Sequence, residues 1–362
     1  MIYKLAPLIL LPTLSLGFCA GAVAESSTAL VETDASAHAE SAESLAVTNA
    51  NTRKSKEYQD CLMSKMQTAG AELPVGELRA SCEKIEQLQQ SQARAELTLG
   101  QESVVAQRLI AEEKALDNPF EISSYRRNYV LVASYNDAPN TEIWNLDHPE
   151  QDINNVEVKF QLSFKALVAR GVLGGNLWAA YTQQSWWQLY ADESAPFRET
   201  NYEPELMLRW DTDLAALGFN MRVWSFGYNH ESNGRSGDFS RSWNRLLGQA
   251  VFDRGNLIIV PRVWWRIPEA EEKDDNRDID DYLGYGDLAI AYKWGSNLFS
   301  TTIKGNFRRR DPRMGVQLEW TFPVADRFKG YIQYYDGYGE SLIDYNHRSK
   351  RIGFGVLLND FI

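Results

Sequence analysis

Between Tyr228 and Arg245 the chain reads YNHESNGRSGDFSRSWNR. Side chains alternate along a strand, so a strand through Trp224, Phe226 and Tyr228 carries His230 and Ser232 on the same face. A second strand puts Asn244 on one face with Leu246, Gly248, Ala250 and Phe252, and Arg245 and Gln249 on the other. If the two strands form a hairpin, Asn244 returns beside His230 and Ser232. These are residue types for nucleophilic catalysis: a serine hydroxyl to attack, a histidine to take its proton, and a third group to fix the imidazole tautomer. Asparagine can fill the third role by hydrogen bonding, without setting another full charge against hydrocarbon. Taken alone, H-x-S is a weak signal, because Ser, Asn, Gly and Asp are also what a polar hairpin tip requires. The face sharpens it: three polar side chains that end otherwise lipid-compatible surfaces are costly unless they have partners or a task.

The elements that must position them follow from the same alternation. From Val156, the residues Val156, Val158, Phe160, Leu162 and Phe164 form one face, while Glu157, Lys159, Gln161 and Ser163 form the other. Similar segments recur near residues 127–135, 156–168, 174–189, 201–211, 217–232, 240–253, 256–267, 281–294, 297–308, 313–322, 328–336 and 350–362. About twelve such segments, an even number, suit an all-β transmembrane antiparallel barrel of the bacterial outer membrane. The mean hydropathy is only −0.40, yet 12% of residues are aromatic. A barrel reconciles the two, since every second residue faces a polar lumen while aromatic girdles mark both membrane interfaces.

Upstream, residues 1–24 read as a signal peptide: Lys4, an apolar run from Leu5 to Cys19, and Ala22-Val23-Ala24 as a cleavage site. Residues 25–53 have no aromatic side chain and are rich in Ala, Ser, Thr and Glu, a composition that predicts a disordered spacer. Residues 54–116 predict a periplasmic helical hairpin: Tyr58, Cys61, Leu62 and Met66 share one face, Leu78, Cys82 and Ile85 another, and Gly70, Pro74 and Gly76 supply the turn. Cys61 and Cys82 lie almost symmetrically about that turn, and in an oxidising compartment a bridge is expected in preference to a metal site. The barrel is then expected over 117–362. A net charge of −12 argues against a nucleic-acid partner, which would need a basic surface.

The Tyr228–Arg245 segment closely resembles the active-site signature of the outer-membrane phospholipase A family, a H-x-S-N-G run followed by S-R-S-W-N. The match takes in His230, Ser232, Asn233, Gly234, Arg235 and Ser236, then Ser240 through Asn244. Further similar blocks are DNPF at Asp117, VKFQLSF at Val158, YTQ and SWWQL around Tyr181 to Leu189, PFRETNYEP at Pro196 and GYGESLIDYN at Gly337. The resemblance implies calcium-dependent hydrolysis of acyl esters of phospholipids and lysophospholipids, of the phospholipase A1/A2 type. It implies Ser232 as nucleophile, His230 as base, Asn244 as the orienting residue and the Gly234 N–H as an oxyanion donor. It also implies Ca²⁺ held by the Ser240 side chain and the Arg235 carbonyl, with the Ser194 carbonyl supplied by a second subunit. One position departs: Gly237 stands where the family has an acid, and Asp238 follows one place later.

The same resemblance implies a homodimer as the active form, which suits an enzyme that would be destructive if constitutively active in its own membrane. Gln183 is the candidate contact, since on the face shared with Leu177, Ala179 and Tyr181 its amide meets lipid or a partner's amide. A register slip of one residue would turn it into the lumen instead. Two other functions are weighed beside the enzyme. A passive pore would make the His/Ser/Asn match accidental, and a binding scaffold would work through the helical hairpin.

Overall fold

The structure is a computed structural model that describes residues 58, 60–67, 74, 76–77, 79–85, 103–118, 120–192, 195–325 and 328–359. The expected signal peptide and spacer therefore lie outside the described residues, as do Ser194 and residues 360–362, where the last strand was expected to end. The chain divides into a unit up to Ala93 and a second from Arg94 onward.

In the first unit residues 60–67 and 79–85 are helical. Cys61 and Cys82 are bonded, with their Cα atoms 6.1 Å apart, and Lys65 Nζ donates to Ser81 Oγ at 2.7 Å.

The second unit is a barrel. Its strands are β1 (Ile122–Ser124), β2 (Asn128–Asn136), β3 (Val156–Val172), β4 (Gly175–Trp187), β5 (Phe197–Ala216), β6 (Phe219–Ser232), β7 (Ser242–Arg254), β8 (Leu257–Arg266), β9 (Gly286–Trp294), β10 (Asn297–Gly305), β11 (Met314–Ala325), β12 (Phe328–Gly337) and β13 (Ser349–Asn359). Each of β2 to β13 pairs antiparallel with its sequence neighbours, and β13 returns to pair with β2. Twelve strands thus close a ring with no free edge, which a sheet in hydrocarbon requires. The short β1 adds to β3 alone, from Ile122↔Ala166 to Ser124↔Phe164.

The alternation read from β3 explains the closure. Glu157, Lys159, Gln161, Ser163 and Lys165 are buried in the lumen, while Leu162 and Phe164 each remain 43% exposed on the outer wall. Trp224, Phe226, Val263, Trp265, Trp320 and Phe354 are exposed on the same outer surface. Water would not stabilise a continuous apolar girdle of this kind, whereas a bilayer does. Among the described residues no helix is long and apolar enough to cross a membrane.

The two rims differ. At one, neighbouring strands are joined by two-residue turns at Leu173–Gly174, Leu217–Gly218, Gly255–Asn256 and Gly295–Ser296. At the other, the links are long, among them 137–155, 233–241, 267–285 and 338–348. In bacterial barrels short turns face the periplasm and long loops the exterior. The β6–β7 loop belongs to the long-loop rim.

Two sequence readings shift. Helix α1 (Val104–Ala115) was expected with the hairpin but packs with the barrel: Glu112 binds Lys165 of β3 at 2.9 Å and Arg209 of β5 at 2.6 Å. Its Val105 joins Ile258, Ala291 and Leu298 in a buried cluster. The strand expected from 281 begins at Gly286, because a short helix, α3 (Ile279–Leu283), precedes it. The four-residue spacing of Ile279 and Leu283 puts both into the cap formed with Trp243, Trp264, Leu342 and Tyr345. Between these helices in the chain lies α2 (Thr141–Asp147), N-capped by the Asn140 side chain.

Candidate active site

On β6 and β7 the register sets Asn229 opposite Arg245, His230 opposite Asn244, Glu231 opposite Trp243, and Ser232 opposite Ser242. The inner members of this ladder bind one another. Arg245 donates to Asn229 Oδ1 through Nε at 3.0 Å and Nη2 at 2.6 Å, and Nη2 also donates to Glu231 Oε2 at 2.8 Å. Trp243 Nε1 donates to Glu231 Oε2 at 2.9 Å, and the guanidinium lies 4.0 Å from the Trp243 ring centroid. Such a satisfied, buried network makes a stiff backing for the outer face.

On that outer face His230 and Ser232 are half-buried, in line with the exposed Phe226 and Tyr228. His230 Nδ1 lies 2.9 Å from Asn244 Oδ1. The same oxygen accepts from the Tyr228 hydroxyl, and Asn244 Nδ2 donates to Glu269 Oε1 at 2.9 Å. Once Oδ1 accepts from Nδ1–H, the imidazole holds its other nitrogen, Nε2, unprotonated and able to take a proton.

The loop after Ser232 is organised by Asn233, which is 4% exposed. Its Oδ1 accepts from the Arg235 N–H at 3.3 Å and the Arg241 N–H at 3.0 Å, and its Nδ2 donates to the Phe239 carbonyl at 2.9 Å. Gly234 sits within this turn at φ +67°, and a Cβ there would come 3.1 Å from the Tyr202 ring. Both the positive φ and the close ring call for glycine. Arg235 pairs with Asp147 of α2 and stacks 5.3 Å from the Phe239 ring centroid.

The 267–285 loop closes over this turn. Ser242 N–H donates to Asn276 Oδ1 at 3.0 Å, Arg266 pairs with Asp274 at 2.6 Å, and Ser240 Oγ donates to Asp275 Oδ2 at 2.5 Å. Hydroxyl, carboxylate and peptide oxygens gathered here are the donors a hard divalent cation takes. Among the described residues no cluster of three or more His, Cys, Asp or Glu side chains could hold a metal. A cation here would therefore depend on Ser240, Asp275 and backbone carbonyls.

The structure brings His230, Ser232 and Asn244 together on one outer face, with Gly234, Arg235 and Ser240 in the loop that joins their strands. Gln183 is on the outer face too, because its neighbours Thr182 and Gln184 line the lumen. Its position in the ladder is informative: Gln183 pairs with Tyr202, and Tyr202 pairs with Ser232. Ser194 lies outside the described residues. Sequence reading missed three contacts of the site. Tyr228 was placed on the right face without a task, Asn233 looked like an ordinary turn residue, and Glu269 was hidden in an acidic run that resembles a solvated loop.

The family model described as phospholipase A1 matches residues 105–358. Phospholipase A1 of Escherichia coli K12 is 43% identical over 247 residues, 67% of this chain and 83% of that protein. A putative phospholipase A1 of Neisseria meningitidis serogroup B is 38% identical over 250 residues, 64% of each. Among solved structures, an asparagine-to-alanine active-site mutant of E. coli outer membrane phospholipase A matches with a TM-score of 0.64 and 42% identity, covering 68% of this chain and 95% of that one. The Salmonella typhi outer membrane phospholipase dimer with bound calcium matches with a TM-score of 0.63 and 41% identity, over 68% of this chain and 95% of that one. This chain therefore belongs to the outer-membrane phospholipase A family and is a phospholipase A1, an ester hydrolase built as a twelve-stranded barrel of the outer membrane.

Proposed function

We propose that the chain hydrolyses phospholipid and lysophospholipid acyl esters with Ser232 as nucleophile, His230 as general base and Asn244 as the residue that orients the imidazole. The observation that carries this reading is the 2.9 Å contact between His230 Nδ1 and Asn244 Oδ1, on the face that also bears Ser232. An active-site mutant of a relative in which an asparagine is replaced gives independent support for an asparagine in the machinery. In the reaction His230 Nε2 takes the proton of Ser232 Oγ as the oxygen attacks the ester carbonyl. The Gly234 N–H donates to the oxyanion that develops. As the carbonyl re-forms, the proton on Nε2 passes to the departing lysophospholipid oxygen, leaving the acyl group on Ser232. Water, activated by the same imidazole, then releases the fatty acid.

The face suits an acyl ester that arrives from the membrane side, since Phe226, Tyr228 and Trp265 leave apolar surface beside the catalytic residues. Calcium would be held by Ser240 Oγ and the Arg235 carbonyl, with the Ser194 carbonyl of a second subunit, and would supply positive charge where the oxyanion forms. Activation by dimerisation, with Gln183 in the contact, is the regulatory part of the proposal. The lumen holds a cavity of about 380 Å³, but α1 stands in one mouth and the 338–348 loop packs into the other, so a passive pore gains no support.

The decisive assay is fatty-acid release from phospholipid/detergent micelles with Ca²⁺. Ser232→Ala should lower it on the order of 10³-fold or more while the barrel still folds. Activity retained by a verified folded Ser232→Ala protein overturns the mechanism.

A further inference from the structure

The Asn244 amide is ambiguous in the contacts it makes with the catalytic strand. A tyrosine hydroxyl can donate or accept, and a neutral imidazole can carry its proton on either nitrogen. Neither Tyr228 nor His230 therefore decides which end of the amide faces the ring. The contact on the other side does decide, because Glu269 Oε1 sits 2.9 Å from Nδ2 and an ionised carboxylate can only accept. The Glu269 segment is held in place independently. The Ile267 N–H donates to the Asn244 carbonyl at 2.8 Å, one step beyond the Arg245↔Arg266 pair of β7 and β8, and Pro268 restricts the backbone between them.

We infer that Glu269 is a positioning residue of the ester hydrolysis: it locks the Asn244 amide with Oδ1 toward His230 and so fixes the tautomer that leaves Nε2 free to accept the Ser232 proton. With the amide reversed, Nδ2 would face Nδ1, the ring proton would move to Nε2, and the base would be lost. Glu269 also puts a negative charge one residue behind the asparagine, where it favours the imidazolium formed during attack. The site thus gains part of what an aspartate would give, with the charge withdrawn from the ring. The titratable groups that share this face with His230 are Tyr228 from β6, Tyr202 from β5 and Glu269. Glu203, Glu205, Glu231 and Arg245 point into the lumen, where they bind one another or Asn229.

This inference rests on the Ser232/His230/Asn244 reading, and the test separates the two. Micellar phospholipid hydrolysis is measured with saturating Ca²⁺ across pH for the full-length wild type, Glu269→Ala, Glu269→Gln, Asn244→Ala and the Asn244→Ala/Glu269→Ala double variant, with Ser232→Ala as reference. Glu269→Ala should lower kcat about 10- to 100-fold, the usual range for an outer-layer partner, with KM little changed. Gln can still accept from Asn244 Nδ2, so Glu269→Gln should recover much of kcat. Both variants should move the acid limb of the profile to lower pH, because the carboxylate that favours the charged imidazole is gone. In the Asn244→Ala background, Glu269→Ala should cost nothing more. Wild-type kcat and acid limb in folded Glu269→Ala, while Ser232→Ala is inactive, overturn the positioning role and leave the triad standing. A kcat loss with an unmoved acid limb and no rescue by Gln marks a structural role and overturns it too. Activity in Ser232→Ala removes the triad, and Glu269 with it.

Discussion

At the scale of single residues, the site separates holding from reacting. The buried face of β6 and β7 carries the charges, Glu231 and Arg245, and binds them to Trp243 and Asn229. The outer face of these two strands carries neutral or weakly basic groups that lipid can tolerate, and the carboxylate beside them, Glu269, comes from the loop after β8. Histidine changes its charge between about pH 5 and 8, so with Ca²⁺ saturating the initial rate should climb across that interval, and a flat profile would count against a histidine base. If the proposed calcium site is right, Ser240→Ala should raise the Ca²⁺ concentration for half-maximal activity, because it removes one oxygen from a site with few protein ligands. Calcium titration of the initial rate reads this directly, and an unchanged requirement would take Ser240 out of the calcium site. The shared outer face of His230, Ser232 and Asn244 was legible because strand alternation placed all three there before any partner was known. Glu269 was not, because it lies 25 residues from Asn244 in sequence and contact across a long loop leaves no periodic trace.

At the scale of elements, the strands were legible and the helices much less so. A barrel strand in lipid must alternate between two solvents, and β3 writes that rule into Glu157, Lys159, Gln161 and Ser163. A helix docked in a charged lumen obeys no such rule: α1 buries Glu112 to 7% exposure, which from sequence looks like a solvated face. The blocks PFRETNYEP and GYGESLIDYN had no task in the sequence either. They prove to be two halves of a clamp. Arg198 pairs with Asp344 at 2.6 Å, and Asn201 Oδ1 accepts from the Leu342 N–H at 3.0 Å. The docking of α1 is pH-sensitive in a defined direction. Burial by itself raises the Glu112 pKa, but Lys165 and Arg209 outweigh it and hold the carboxyl below its ordinary value. A depressed carboxyl stabilises the docked state above the ordinary value of 4.5 and loses that contribution as pH falls through the lowered value. Glu112→Ala takes away the carboxylate that the buried Lys165 binds and leaves Arg209 with the half-exposed Asp211, a loss on the order of 3–5 kcal/mol, and should expose α1 to protease at neutral pH. Limited proteolysis of barrels in detergent checks both: wild-type α1 should become cleavable only below about pH 4, the ordinary carboxylate range, and protection of α1 in Glu112→Ala at pH 7 would contradict the ion-pair account.

At the scale of the whole molecule, the proposed dimer would make the barrel wall both scaffold and docking surface. Gln183, Tyr202 and Ser232 stand in one cross-strand row, so the expected dimer contact is two strands, or roughly 10 Å, from the proposed nucleophile. Within one barrel the amide is only partly satisfied: Tyr181 donates to its oxygen at 3.0 Å, and its nitrogen donates to Ser185 Oγ at 3.2 Å. An amide has two N–H donors and two acceptor sites, so capacity remains on a face otherwise turned to hydrocarbon, and a second Gln183 can use it for a net gain of roughly 1 kcal/mol. In the proposed dimer a gain this small would leave the barrels separate when dilute and would let substrate and Ca²⁺, bridging the two, tip the balance toward dimer. Specific activity should therefore fall as protein is diluted in detergent at fixed Ca²⁺, and Gln183→Cys barrels should form disulfide-linked dimers in step with that activity. Locked dimers should keep their activity on dilution and lose it on reduction. Activity proportional to protein over the whole dilution range, with no crosslink at Gln183→Cys under turnover, would mean that a single barrel suffices.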